Sequence, residues 1–310
     1  MKGLVIGGNG FIGSHLVDRL AADGWDVTVL DVRERRYDPM PPLARFVRGA
    51  ADDQRVLGEA LRGVDVVFHL AWTTIPEASD RDPVADAQEN LVPTIRVMDA
   101  CRRAGIRRFV FVSSGGTVYG AARQLPIPET HPQNPITAYG ITKLAAEKYV
   151  QMFGGEHGLD YAILRPSTPY GPRQNPLGRQ GVVSVFLYRI AHSLPITVWG
   201  DGTTTRDFFY ISDLVQALCG CARAELKERR IFNIGGGEEV SLRQLIDLAE
   251  AVVGRKASVT FEAARSCDVP RLSLDTELAR RELVWTPAIP LSEGVNRTWQ
   301  WMSQAYPVAG

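Results

Sequence analysis

Residues Gly7-Gly8-Asn9-Gly10-Phe11-Ile12-Gly13 stand between an apolar run, Leu4-Val5-Ile6, and a stretch with Ile12, Leu16, Val17 and Leu20 at helical spacing. Glycines at 7, 10 and 13 that leave a strand and open a helix constrain the fold more than any other feature of the chain. Gly7 permits the tight turn, Gly10 lets a pyrophosphate approach the backbone, and Gly13 lets the helix lie close to the sheet. The unpaired N–H groups at the start of such a helix face phosphate oxygens. Asp31 closes the next apolar run, Val27-Thr28-Val29-Leu30, 18 residues beyond Gly13. An acidic residue at about that distance binds the adenosine ribose. Its carboxylate can accept from both ribose hydroxyls of NAD and repels the 2′-phosphate of NADP. Arg33 and Arg35 stand close enough in sequence to soften that repulsion, but the pattern favours NAD.

The pattern continues as alternating strands and helices. Strands are expected at Arg45–Val47, Val64–Leu70, Arg108–Val112 and Tyr161–Leu164, with helices at about 11–22, 84–104 and 138–154. Near-continuous apolar strands separated by helices predict an α/β fold, a doubly wound parallel (Rossmann) sheet covered on both faces. After Arg165 the texture changes to a loop rich in proline and glycine. Helical patterns follow near 182–191, 211–224, 242–253 and 291–303, mixed with short β-like runs at Ile196–Trp199 and Ile231–Ile234. This reads as a smaller mixed α/β C-terminal lobe. We expect residues 1–165 to form the NAD domain, with 207–234 packing back onto it, and 166–206 with 235–310 to form the substrate lobe.

Composition narrows the function. Thirty-five basic residues balance 35 acidic ones, so no global field recruits nucleic acid or an anionic membrane. No apolar run approaches the ~18 residues that a membrane helix needs. Cys101, Cys219, Cys221 and Cys267 include no C-x-x-C pair and no zinc spacing, so no metal site is expected and the thiols fit a cytoplasmic protein.

Tyr139 and Lys143 lie at i and i+4, on one face of the helix expected over 138–154. A cation beside a phenol favours the phenolate and lowers its pKa from about 10. Such a tyrosine can exchange a proton with a hydroxyl near neutral pH.

With the glycine loop and the serine run at 113–114 in phase with this pair, the chain resembles the extended short-chain dehydrogenase/reductase family, especially nucleotide-sugar epimerases of the UDP-glucose 4-epimerase type. The resemblance runs through VIGGNGFIGSHLV at the start, VFHLAW at 67–72, ENLVPT around Asn90, VSSGGTVYG at 112–120 and YGITK at 139–143. It continues through LRPSTPYGPRQ at 164–174, WGDGTTTRDFFYISDL at 199–214, FNIGGG at 232–237 and RSCDV at 265–269.

The resemblance implies that NAD stays in the site while hydride leaves the sugar and returns to its other face, most naturally at C4 of a UDP-hexose or UDP-N-acetylhexosamine. It makes Tyr139 the base and Lys143 the residue that holds the nicotinamide ribose. Phe11, Ile12, Leu70, Ala71 and Asn90 join Gly7, Gly10, Gly13 and Asp31 along the cofactor. Arg206 and Arg265 clamp the substrate diphosphate, Asp268 holds the nucleoside ribose, and Trp199 flanks the uracil or else packs in the core. A homodimer is implied, through the helices at 84–104 and 138–154. A reductase that exchanges NAD(H) with solvent, or a non-catalytic NAD sensor, would share this scaffold.

Four positions depart from the family pattern. Gly115 stands where a Ser or Thr is usual, so the hydroxyl must come from Thr117 or Ser114, with Thr117 preferred. Thr168 replaces an Asn near the phosphates, and Ala50 an Asp near adenine. Trp72 replaces the second Ala of the LAA motif. Four residues past Asp268, Leu272 stands where a bulky tyrosine would exclude acetamido sugars, so UDP-N-acetylhexosamines are expected to be admitted.

Overall fold

A computed structural model describes residues 1–265 and 269–308. In chain order its elements are β1 (Lys2–Ile6), α1 (Phe11–Ala22), β2 (Asp26–Asp31), β3 (Ala44–Arg48), α2 (Gln54–Ala60), β4 (Val66–His69), α3 (Pro76–Arg81) and α4 (Pro83–Asp86). A π-helical turn (Ala87–Leu91) then leads into α5 (Val92–Ala104), β5 (Arg108–Val112), α6 (Ala138–His157), β6 (Tyr161–Pro166) and β7 (Thr168–Tyr170). The remainder comprises α7 (Val182–Ala191), β8 (Ile196–Trp199), β9 (Thr205–Arg206), β10 (Phe208–Tyr210), α8 (Ile211–Arg223) and β11 (Ile231–Ile234). The last elements are β12 (Val240–Ser241), α9 (Leu242–Val253), β13 (Val259–Glu262), α10 (Glu277–Leu283) and α11 (Leu291–Ala305).

Seven parallel strands form the main sheet in the order β11-β6-β5-β4-β1-β2-β3. Alternate side chains serve opposite faces: Leu4 and Ile6 of β1, with Phe109 and Phe111 of β5, pack with Val97 and Met98 of α5 and Val150 of α6. Val5, Val110 and Val112 face the other way, with Leu16, Val17 and Leu20 of α1 and Leu214 and Leu218 of α8. Both faces are therefore buried, as continuous apolar strands require. β1 pairs with β2 on one side and β4 on the other. Strand order reverses there, and the crevice outside the carboxyl ends of β1 and β4 is where an open α/β sheet takes its ligand.

β11 returns to pair in parallel with β6. Between them and after them the chain builds three two-stranded pairs, β10 with β7, β12 with β9 and β13 with β8. The apolar cluster under α1 and α8 runs on without a break into Leu187 of α7, Leu245 of α9 and Val295 of α11. One core thus joins the C-terminal elements to the sheet.

The expected helix over 84–104 is broken into α4, the π turn and α5. Pro93 lacks a backbone N–H, and the widened turn just before it places Asn90 inward, 3% exposed.

Candidate active site

The glycine loop has the predicted shape. Gly7 adopts φ 83°, and an ideal Cβ there would lie 2.8 Å from the backbone N of Ala71. Leu70 and Ala71 therefore close over the loop from β4. A Cβ on Gly13 would lie 2.2 Å from the Gly7 carbonyl oxygen, so α1 is seated directly on the turn. Gly10 differs: a Cβ there would meet only the Gly7 oxygen, at 3.3 Å, which leaves its outer side open for a ligand. No side chain caps the N-terminus of α1. The residues present therefore fit a dinucleotide.

Asp31 is turned back toward this loop. Its Oδ2 accepts from the Asn9 backbone N–H at 3.0 Å and its Oδ1 from that of Arg33 at 3.0 Å. The expectation that Arg35 could soften discrimination against NADP does not hold for its guanidinium. That group donates to both oxygens of Asp18, at 2.7 and 2.8 Å, and to the Tyr37 carbonyl at 3.1 Å. Arg33 remains exposed.

Asn90 lies one layer behind the crevice. Its Oδ1 accepts from the Thr73 backbone N–H at 2.8 Å, and its Nδ2 donates to the Asp86 carbonyl and Thr74 Oγ1, each at 3.1 Å. These bonds make it a brace for the loop after β4.

Tyr139 and Lys143 sit on the first turns of α6. Thr137 caps the helix by accepting from the Gly140 N–H at 3.2 Å. The α3 side chains complete the cap: Ser79 Oγ accepts from the Tyr139 N–H at 2.9 Å and Asp80 from the Ala138 N–H at 2.7 Å. Lys143, 4% exposed, donates from Nζ to the Val112 carbonyl at 2.9 Å. The same Nζ lies 3.6 Å from the centre of the Trp72 ring and 5.8 Å from that of Tyr139. Trp72 meets Tyr139 edge-on, ring centres 6.0 Å apart.

The Tyr139 pKa is not lowered as the spacing predicts. Burial pushes the phenol above its ordinary range, and the Asp86 carboxylate adds to that shift. Lys143 is pushed down to about 7 by burial, against the pull of Glu147 and Asp86. Burial is the largest cause of both shifts.

Thr117 Oγ1 is buried and, among the described residues, has no hydrogen-bond partner. A buried hydroxyl without a partner is costly, which marks this one as a group available to a ligand. The 114–118 segment is a tight turn in which the Ser114 carbonyl accepts from the Val118 N–H at 3.2 Å.

On the C-terminal side, Trp199 is 40% exposed, so it is not a core aromatic. The Arg265 guanidinium lies 4.0 Å from its ring centre. Arg206 donates to the carbonyls of Thr205 at 2.8 Å and Val269 at 2.7 Å. Thr168 is half-buried on β7, its N–H bonded to the Asp207 carbonyl at 3.1 Å. Asp268, expected on the nucleoside ribose, lies outside the described residues.

Residues 3–235 match the model of the NAD dependent epimerase/dehydratase family. The chain belongs to this family. UDP-glucose 4-epimerase of Mycolicibacterium smegmatis is 37% identical over 305 residues, 96% of this chain and 97% of that protein. The dTDP-4-dehydro-6-deoxyglucose reductase of Escherichia coli is 32% identical over 303 residues, 95% of each. The structure of UDP-glucose 4-epimerase from Thermotoga maritima with UDP-glucose is similar at a TM-score of 0.93 and 33% identity, covering 98% of this chain and 99% of that one.

Two expectations for this epimerase-family chain, at Gly115 and Leu272, meet close packing. A Cβ on Gly115 would meet Leu274 Cδ1 at 2.5 Å and the Arg165 carbonyl oxygen at 2.8 Å, so no hydroxyl-bearing side chain fits there. Leu272 is 3% exposed and packs with Val118, Ile127 and Leu274 beneath the same turn. It does not border open space, so the steric premise for admitting acetamido sugars is withdrawn.

Sequence reasoning also missed the layer behind the pair. Glu147 and Arg165 are both fully buried and ion-paired, Arg165 Nε to Glu147 Oε1 at 2.9 Å. Ser113 donates to the same carboxylate, and Arg165 also donates to the Tyr119 hydroxyl at 2.9 Å. The signal was present: Glu147 follows Lys143 by four residues and so shares its face. Asp86 precedes Asn90 by the same interval.

Proposed function

We propose that this protein catalyses NAD-dependent epimerisation of a nucleotide sugar, at C4 of a UDP-hexose or UDP-N-acetylhexosamine, through a transient 4-keto sugar. The observation that carries this reading is the Tyr139–Lys143 pair, held by the α3 cap on α6 and joined through Trp72 to the loop after β4. The glycine loop, Asp31, Leu70, Ala71 and Lys143 would hold NAD, which when bound supplies the acceptor and later the donor of a hydride. Tyr139 would act as the phenolate, which the positive charges of Lys143 and bound NAD favour against burial; in that form it takes the proton from the sugar hydroxyl and gives it back, while the Thr117 hydroxyl, or that of Ser114, fixes the reacting oxygen. Arg206 and Arg265 neutralise the diphosphate, since guanidinium donors match phosphate oxygens. Trp199 flanks the base, Asp268 the ribose, and Thr168 lies toward the phosphates. On this reading residues 1–165 with 207–234 serve the cofactor and 166–206 with 235–310 the nucleotide sugar.

Turnover of UDP-glucose to UDP-galactose, followed by NMR with no added NAD(H), tests the proposal. Turnover matched by stoichiometric consumption of added NAD(H) would instead make it a reductase, the activity for which the Escherichia coli relative is named. Absence of both across a panel of UDP- and dTDP-sugars overturns the enzymatic reading.

The reading extends to a cytoplasmic homodimer. Apolar side chains are exposed on the helices expected at its interface: Val84 at 66%, Val92 at 40% and Ile141 at 56%, with Tyr149 and Met152 further along α6. A monomeric mass by light scattering at micromolar concentration would count against it. Cys101, Cys219 and Cys221 are free, buried thiols, which suit a reducing compartment.

A further inference from the structure

We propose that Trp72 is a positioning residue for Lys143: its indole face holds the lysine ammonium against the Val112 carbonyl and keeps it charged inside the protein. The inference rests on the reading of Tyr139 and Lys143 as the reactive pair, and it names a residue that tunes them.

The geometry is direct. Lys143 Nζ stands 3.6 Å from the Trp72 ring centre, against 5.2 Å for Phe111 and 5.8 Å for Tyr139. The negative face of an indole attracts a cation most strongly where water is excluded. Lys143 is 4% exposed and, among the described residues, has one hydrogen-bond acceptor, Val112 O at 2.9 Å, for its three donors. The indole face therefore supplies much of what water would give the charge. Trp72 is itself fixed, by edge contact with Tyr139 and a tilted contact with Phe111, ring centres 6.0 and 6.3 Å away. It thus links the ammonium to the phenol.

Among the described residues, Glu147, Asp86, His69 and Tyr139 are the charged or titratable groups around Lys143. Glu147, one turn along α6, favours the ammonium, but its carboxylate is already paired with Arg165 and bonded by Ser113. Asp86 on α4 also favours it. His69 on β4 is held neutral, to about pKa 3, by burial and then by Lys143 itself. Tyr139 on α6 is held neutral by burial and Asp86. β5 presents the Val112 carbonyl and the Phe111 ring. Burial still brings Lys143 down to about 7, so a modest change in the ring's attraction alters its charge at working pH.

The test alters the ring's electrons without altering its shape. The chain has five lysines, so ¹³C-lysine NMR can follow Lys143 individually, with Lys143→Met used only to assign its resonance. Trp72 is replaced by 5-fluoro- and then 5,7-difluorotryptophan. The expected result is a stepwise fall in the Lys143 pKa, on the order of one unit in total. The alkaline limb of turnover against pH should move down by the same amount. Trp72→Phe, which keeps a weaker face, should fall between. An unchanged Lys143 pKa across the fluorinated series overturns the proposal, whatever happens to turnover. A pKa that moves as expected in a protein whose Tyr139→Phe variant still turns over would uphold the Trp72–Lys143 contact and overturn the reading of the pair as catalytic.

Discussion

An ideal Cβ on Gly115 would stand 2.8 Å from the carbonyl oxygen of Arg165, closer than real side chains come to backbone. The turn after β5 is pressed onto the end of β6, and the position where the family resemblance leads one to expect a hydroxyl is sterically closed. Gly115→Ser should therefore fail to raise turnover and should destabilise the fold by about 1–3 kcal/mol through overpacking. Chemical denaturation beside a kinetic assay checks both halves. A stable Gly115→Ser protein with higher kcat would contradict this account.

Thr117 offers a cleaner separation of stability from function. Its Oγ1 is buried and unpartnered, so Thr117→Val removes an unsatisfied polar atom and should leave stability unchanged or raise it by about 1 kcal/mol. Turnover should nevertheless fall, by ~10²–10³-fold if the hydroxyl binds the reacting oxygen. Ser114→Ala should do less. The reverse ranking would transfer the role to Ser114.

Tyr139→Phe keeps the ring that packs against Trp72 and removes the proton acceptor. Turnover should drop ~10²–10⁴-fold, while NAD released from the denatured protein stays at the wild-type amount. Near wild-type turnover would remove Tyr139 as the base.

Asp31→Ala removes the carboxylate that accepts from Asn9 and Arg33. NAD affinity should fall and the preference over NADP should relax, read by titration with each cofactor. Because Arg35 is held by Asp18, the variant should not acquire tight NADP binding. An unaltered ratio of the two affinities would make Asp31 a turn residue only.

Acid should weaken the fold partly through His69. Thr94 Oγ1 donates to the Asn90 carbonyl at 2.6 Å, so it must accept from His69 Nε2 at 2.9 Å, and the other ring nitrogen is left bare and buried. The folded-state pKa, about 3, lies below the unfolded value of 6.5. The folded protein thus binds fewer protons, and the stability present above pH 6.5 is lost as pH falls toward 3. His15, held near 4 by burial, acts in the same direction. Asp207, raised from 3.8 to about 6 by burial, opposes them as pH falls from about 6 to 3.8. In urea unfolding at pH 7 and pH 5, wild type should lose stability relative to His69→Phe. A pH-independent difference would mean that His69 titrates normally.

The strands of the main sheet were legible because burial on both faces leaves a local mark, a run such as Phe109-Val110-Phe111-Val112. The helices α1, α7 and α9 announced themselves by apolar spacing and begin and end where that spacing does. The short pairs β10–β7 and β12–β9 had no such mark, since two or three residues become a strand only when the partner segment arrives. The glycine loop was readable because each glycine answers to a backbone collision. The Tyr139 environment was not. A four-residue spacing predicts a shared helix face, but not that a tryptophan from a different loop would take the ammonium, or that burial would dominate the protonation of both groups.

The return of β11 to the edge beside β6 carries a consequence for biosynthesis. When the ribosome has released residue 166, the sheet still lacks its outermost strand, and β6 presents a row of unpaired amides and carbonyls. Sixty-four further residues intervene before Ile231 can cover that edge. A chain truncated near residue 165 should therefore not behave as an independent cofactor module. It is a half-edged sheet exposed to pairing with its own copies, and expression trials should keep the two halves in one polypeptide.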